Sequence, residues 1–210
     1  MGSLKLFPLR LVAYPTKVVP LHIFEERYKY LINECISLDQ EFGMVYTLDN
    51  GLADFGCSLS ISELIKTYPN GEMDIITKGQ RIFKIHSNKV ENELNIGQVE
   101  FQEDKPEPFL DKFDKIKEKY LKLLLQLGLT DQIERHMNKT RSFELIEHIQ
   151  LPNEVELLLI STRSEIDRLK VLDEIFDQIL EKGIDKINQK VFQSWKLTFI
   201  LKYQVIKFPS

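Results

Sequence analysis

The chain has 210 residues, 43% hydrophobic and 29% charged, with a net charge of −4. That is the composition of a globular protein with material for one large domain or two small ones. No apolar run approaches the ~20 residues that cross a bilayer, the start at Met1 lacks the apolar core of a secretory leader, and two cysteines, Cys35 and Cys57, are too few for a disulfide framework.

A reduced, cytoplasmic protein is therefore expected. Residues 1–104 hold 10 Lys/Arg against 15 Asp/Glu and residues 105–210 hold 18 against 17. Neither half has the basic excess of a nucleic-acid binder.

Residues 4–12 are extended in character, with Pro8 marking a strand end or an edge. Ala13-Tyr14-Pro15-Thr16 is a turn, and 17–21 is a second short strand closed by Pro20. Phe24, Tyr28, Leu31, Ile32 and Cys35 then recur at helical spacing, which predicts one amphipathic helix of about three turns. Strands follow at 41–48, at 56–68 with Cys57, Leu59, Ile61 and Leu64 on one face, at 72–87, and at 89–101. Asp49-Asn50-Gly51, Pro69-Asn70-Gly71 and Asn92-Glu93 are the turns between them, and Gly79 marks a bulge or bend. Six or more strands with one helix predict a curled, partly closed sheet.

Pro106 and Pro108, set among charges, mark a boundary near residue 104. Beyond it the period changes to 3.6. Phe109, Phe113, Ile116, Tyr120, Leu123, Leu124 and Leu127 form one helical face that stops at Gly128. Residues 142–149 form a short helix; Pro152 opens another that buries Val155, Leu158 and Leu159. Ser164 caps a longer helix carrying Leu169, Leu172, Ile175, Phe176, Ile179 and Leu180, which Gly183 ends. Residues 184–210 fit a helix or a strand. With Lys182 they carry six lysines, one acid and five aromatics, a pattern that suits an RNA surface or a lysine rim around a packed helix.

Several of these words share one order and spacing: Leu6-Phe7-Pro8-Leu9, Leu21-His22-Ile23-Phe24-Glu25-Glu26-Arg27-Tyr28, Phe42-Gly43, Gly56-Cys57, and Asp74-Ile75 with Gly79-Gln80-Arg81-Ile82-Phe83. Together they resemble the N-terminal substrate-binding domain of Lon proteases, and Leu151-Pro152, Glu156-Leu157-Leu158 and Arg168-Leu169 extend the resemblance to about residue 180. The chain departs from the family at Tyr14-Pro15-Thr16, where Phe-Pro-Gly is usual; Thr tolerates positive φ poorly.

The resemblance implies an α+β fold, an N-terminal PUA-like pseudo β-barrel over 1–104 followed by a C-terminal helical bundle over 105–210. It also implies non-catalytic binding of unfolded polypeptide or a protein partner, through apolar burial with β-strand addition at an open barrel edge.

The chain shows no G-x-x-x-x-G-K-[ST] string for an ATPase and, by the same resemblance, no room for a protease domain. His22, His86, His136 and His148 are scattered without metal-ligand spacing. No cofactor and no metal are expected; Cys57 with His86 is the one pairing left open. His22 is expected to bond a nearby carbonyl. Glu25 and Arg27 form an exposed recognition pair or, on the favoured reading, Glu25 complements the helix dipole while Arg27 tethers a loop; Asp74 and Arg81 are expected to pair across the barrel, and Gly43, Gly56 and Gly79 to serve backbone geometry and not phosphate binding.

Tyr14, Tyr46 and Phe55, near turns, are the candidates for an apolar peptide-binding patch. An RNA-binding PUA-like module and a small-molecule-binding protein or hydrolase are the competing functions.

Overall fold

A computed structural model describes residues 1–107, 113–129 and 133–182, apart from the side chains of Arg135 and Lys182. The elements expected on Phe109, at Gly183 and over 184–210 lie outside the described residues.

The first half builds strands β1 (Gly2–Leu9), β2 (Val18–Ile23), β3 (Phe42–Leu48), β4 (Gly51–Thr67), β5 (Met73–Glu91) and β6 (Leu94–Phe101), with helix α1 (Glu26–Leu38) between β2 and β3. The sheet order is β2-β5-β4-β3-β1-β6, and β5 pairs with β6 as well. Strands β5, β4, β3, β1 and β6 therefore close a ring, and β2 hangs outside it. The length of β5 makes this possible. Its first part pairs with β2, from Val18↔Lys78 to Ile23↔Met73, and its second with β6, from Phe83↔Phe101 to Glu91↔Leu94.

Among the described strands only β1 and β3 run parallel. β6 pairs with β1 from Gly2 to Leu6, and Pro8 lies past that segment, where no β6 partner awaits its missing N–H.

Inside the ring Phe83 is fully buried. A Cβ on Gly43 or Gly56 would stand 2.9 or 2.6 Å from its ring, so both strands approach the aromatic only as glycine. The α1 core joins Tyr28, Leu31, Ile32 and Cys35 to Val19, Ile75 and Leu59, as the helical spacing predicts. Phe24 does not belong to it. The helix starts at Glu26, so Phe24 precedes it in extended backbone and is 60% exposed.

The turn before β2 takes a conformation to which a β-branched residue is poorly suited. Thr16 has φ 76°, and its Oγ1 is buried with no hydrogen-bond partner among the described residues. The turn is fastened from both sides, since Thr16 N–H donates to Gly79 O and Gly79 N–H to Lys17 O, each at 2.9 Å. At Pro69-Asn70-Gly71 only Gly71 takes positive φ, 81°, whereas Asn92 and Glu93 both do.

The chain forms two compact units, and the division is not a single cut. Met1–Glu103 makes the first unit together with Leu151–Arg163, which carries helix α4 (Asn153–Ser161). Lys17 Nζ is 3.1 Å from the buried Glu156 of α4 and donates to Val12 O at 2.7 Å.

The second unit takes Asp104–Gln150 and the chain from Ser164 on. It contains α2 (Phe113–Gln126), α3 (Ile133–Met137), a 3-10 turn (Ser142–Ile146) and α5 (Glu165–Lys182). Phe113, Ile116, Tyr120, Leu123 and Leu124 are buried, as are Leu169, Leu172, Ile175, Phe176 and Ile179. Leu127 is exposed past the end of α2, where Gly128 at φ 72° closes the helix and Leu129 N–H returns to Leu124 O. Ser164 caps α5, its Oγ accepting from Asp167 N–H at 3.1 Å.

Arg168 is 1% exposed. Its guanidinium meets Asp104 at 2.7 and 2.5 Å and Glu165 at 2.5 Å, and Nε donates to Ser142 Oγ.

Candidate functional site

The corner where β2 turns into α1 brings the word Leu21–Tyr28 beside Asp74-Ile75 of β5. His22 stands opposite Asp74 in the β2–β5 register, and its Nδ1 is 2.7 Å from Asp74 Oδ1. The partner is thus a carboxylate on the neighbouring strand, not a carbonyl. Tyr68 donates to the other oxygen of Asp74 at 2.7 Å. The bonds from His22 and Tyr68 hold the Asp74 carboxyl below the usual carboxylate range.

With Asp74 so engaged, Arg81 goes elsewhere, to Glu41 at 3.0 Å and over the Phe101 ring. Glu25 occupies the N-cap of α1 without capping it. Its carboxylate accepts from Arg27 Nε at 3.0 Å and Nη2 at 2.7 Å. Arg27 also donates to Glu93 O in the β5–β6 turn at 3.1 Å, and its guanidinium lies over Tyr28. These residues fasten the ring's corner.

Of the three candidate aromatics, Tyr14 is 2% exposed and offers no surface. Tyr46 sits at the irregularity between Val45 and Thr47 where β3 meets β4; Asn153 Nδ2 reaches its hydroxyl at 3.5 Å. It and Phe55 are half-buried and both fall in the irregular stretch between the pairs Val45↔Gly56 and Thr47↔Leu52.

Cys57 and His86 do not pair. The thiol is in the core, where burial pushes it up to about 12, and His86 binds Glu100 at 2.9 Å. Burial likewise pushes Cys35 up to about 11. Among the described residues no group of three or more His, Cys, Asp and Glu is placed to hold a metal. A recess of about 640 Å³ runs beside Asn50, Asn88 and Asn95, but its cation, Arg27, is already held by Glu25.

A second feature lies at the other end of α1. The β3–β4 pairing ends at Phe42↔Leu59, while β4 continues to Thr67 along β5. Its outer edge there has no strand partner among the described residues. Between this edge and the end of α1 runs a groove of about 380 Å³ lined by Cys35, Ile36, Asp39, Glu41, Ile61, Glu63 and Leu64 among others. Sequence reading misses the groove. Its one trace is Leu64, three residues after Ile61 and out of step with a strict alternation.

A five-strand ring with an outlying strand and a helix at its β2–α1 corner is also found in known proteins. The model for the ATP-dependent protease La (LON) substrate-binding domain matches residues 3–181, and the chain belongs to that family. Among solved structures it is similar to a Lon N-terminal domain protein from Xanthomonas campestris, at 25% identity and TM-score 0.66, covering 82% of this chain and 97% of that one. It also shares the fold of the N-terminal domain of a Mycobacterium avium complex Lon protease, at 17% identity and TM-score 0.66, covering 84% and 98%.

Proposed function

We propose that this chain is a non-catalytic module that binds polypeptide, either an unfolded segment or a defined protein partner. The family's substrate-binding description supports the reading, and the observation that carries it is the unpartnered edge of β4 with Leu64 and Ile65 exposed along it. Free strand edges recruit extended chain through main-chain hydrogen bonds, and adjacent apolar side chains add burial. The acidic excess of residues 1–104 repels phosphate and favours protein over RNA. The described helices of the second unit are read as part of a helical bundle, and the protein as cytoplasmic, needing no cofactor.

The test is fluorescence anisotropy with reduced, carbamidomethylated α-lactalbumin and with single-stranded RNA, each at low and high salt. Binding of the unfolded protein with shallow salt dependence is expected. Tight RNA binding that collapses with salt, and no binding of unfolded protein, overturns the reading.

A further inference from the structure

Beyond Leu59 the outer edge of β4 has no strand partner among the described residues. Ile61, Thr77 and Val19 form one cross-strand row, and Leu64, Ile75 and Leu21 the next. Residues opposite each other point to the same face, and here that face is the one α1 covers. Burial falls from β5 to β4 in each row, while Leu21 at the β2 end of the second row is half-buried. Val19, Thr77 and Ile75 are buried, Ile61 is half-buried, and Leu64 is 44% exposed.

Ile61 and Leu64 share the face because the pairing slips between Ile61 and Glu63. The extra residue, Ser62, is pinned by its hydroxyl to Ile76 O at 3.0 Å. Ile36, on the last turns of α1, completes the apolar lining. A strand laid beside β4 would continue both rows and cover these three side chains.

The rim of the groove sets the charge of the occupant. Asp39 and Glu63 make no ion pair among the described residues, whereas Glu41 is engaged by Arg81. The last turn of α1 has no basic residue, so the negative end of the helix dipole adds to the two free carboxylates. The outer edge of β2 also has no strand partner among the described residues, but Pro20 has no N–H to offer one.

We infer that the groove between α1 and the free edge of β4 accepts one extended segment of a partner polypeptide, added as a further strand, with apolar residues against Ile36, Ile61 and Leu64 and a lysine or arginine facing Asp39 and Glu63. This rests on the polypeptide-binding reading and assigns it a place and a chemistry.

Hydrogen exchange and anisotropy on the full chain test it, with three probes: a synthetic peptide alternating leucine and lysine, its leucine–glutamate counterpart, and reduced, carbamidomethylated α-lactalbumin. The lysine peptide is expected to slow exchange of the amides of residues 60–67. Leu64→Glu, and separately the double variant Asp39→Asn with Glu63→Gln, should each weaken it by about tenfold or more, equivalent to 1.4 kcal/mol. Val90→Glu, at an exposed site on the far part of β5, should not weaken it.

Unfolded lactalbumin bound equally by wild type and Leu64→Glu, with no protection at 60–67, overturns this site and leaves the broader reading intact. Equal binding of the glutamate peptide overturns the basic partner. No binding of any probe overturns both readings.

Discussion

A Cβ built on Gly79 would stand 2.0 Å from the carbonyl oxygen of Tyr14. Two strands of different parentage, β5 and the run into β2, touch there backbone to backbone, and the two hydrogen bonds across Gly79 hold the contact closed. Gly79→Ala must push the turn away, because neither side of the contact is a flexible side chain. We expect a loss of about 3 kcal/mol by urea denaturation, against a change within about 0.5 kcal/mol for Gly2→Ala, where a Cβ meets nothing within 4 Å.

The same turn predicts a gain. Thr16 sits at φ 76° with a buried, unsatisfied hydroxyl, and glycine relieves both. Thr16→Gly should stabilise the protein by about 1 kcal/mol, after the added freedom of the unfolded chain is subtracted. A lower urea midpoint for the variant would show that the threonine is accommodated without strain.

Acid stability depends in part on Asp74. Its carboxyl is held low by His22 and Tyr68, so in the acid range the folded chain binds fewer protons there than the unfolded one. That contribution is present above the ordinary carboxylate range and is lost as pH falls through the lowered value. Asp74→Asn removes it, and the drop in urea midpoint between neutral and acid pH should be smaller in the variant. An unchanged drop would place the acid sensitivity elsewhere.

In the second unit, Arg168→Met should cost about 3–5 kcal/mol, because Asp104 and Glu165 lose the cation that offsets their desolvation. Arg168→Lys keeps the charge but cannot reach Asp104 through two nitrogens and Glu165 as well, so it should fall between. Far-ultraviolet circular dichroism during urea unfolding reads the loss.

Much of this fold is written in local pattern. Tyr28, Leu31, Ile32 and Cys35 announce α1, and Ser164 announces the start of α5, because a period and a cap are properties of neighbouring residues. Phe24 misleads for the same reason. It is in phase with the helix, and nothing in Glu25, an uncommon capping residue, tells that the helix has not yet begun.

Leu64 reaches the α1 face through a bulge whose position depends on β5, and Pro8 depends on how far β6 extends. Helix α4 reads as part of a helical half because its own pattern is helical; its attachment to Lys17, just before β2, and to Tyr46 of β3 is long-range. The groove is the least legible feature. It is made by a strand that is missing, and an absence leaves no periodicity.

The return of Leu151–Arg163 to the first unit has a consequence during synthesis. When Glu103 leaves the ribosome every strand of the ring exists, yet the carboxylate that Lys17 needs, Glu156, has not been made. Lys17 then has the carbonyl of Val12 but no carboxylate partner until Asp104–Gln150 and the start of α4 have been added. A nascent chain stalled before residue 150 should thus present an incomplete first unit, and release of its last helix would act as the closing step.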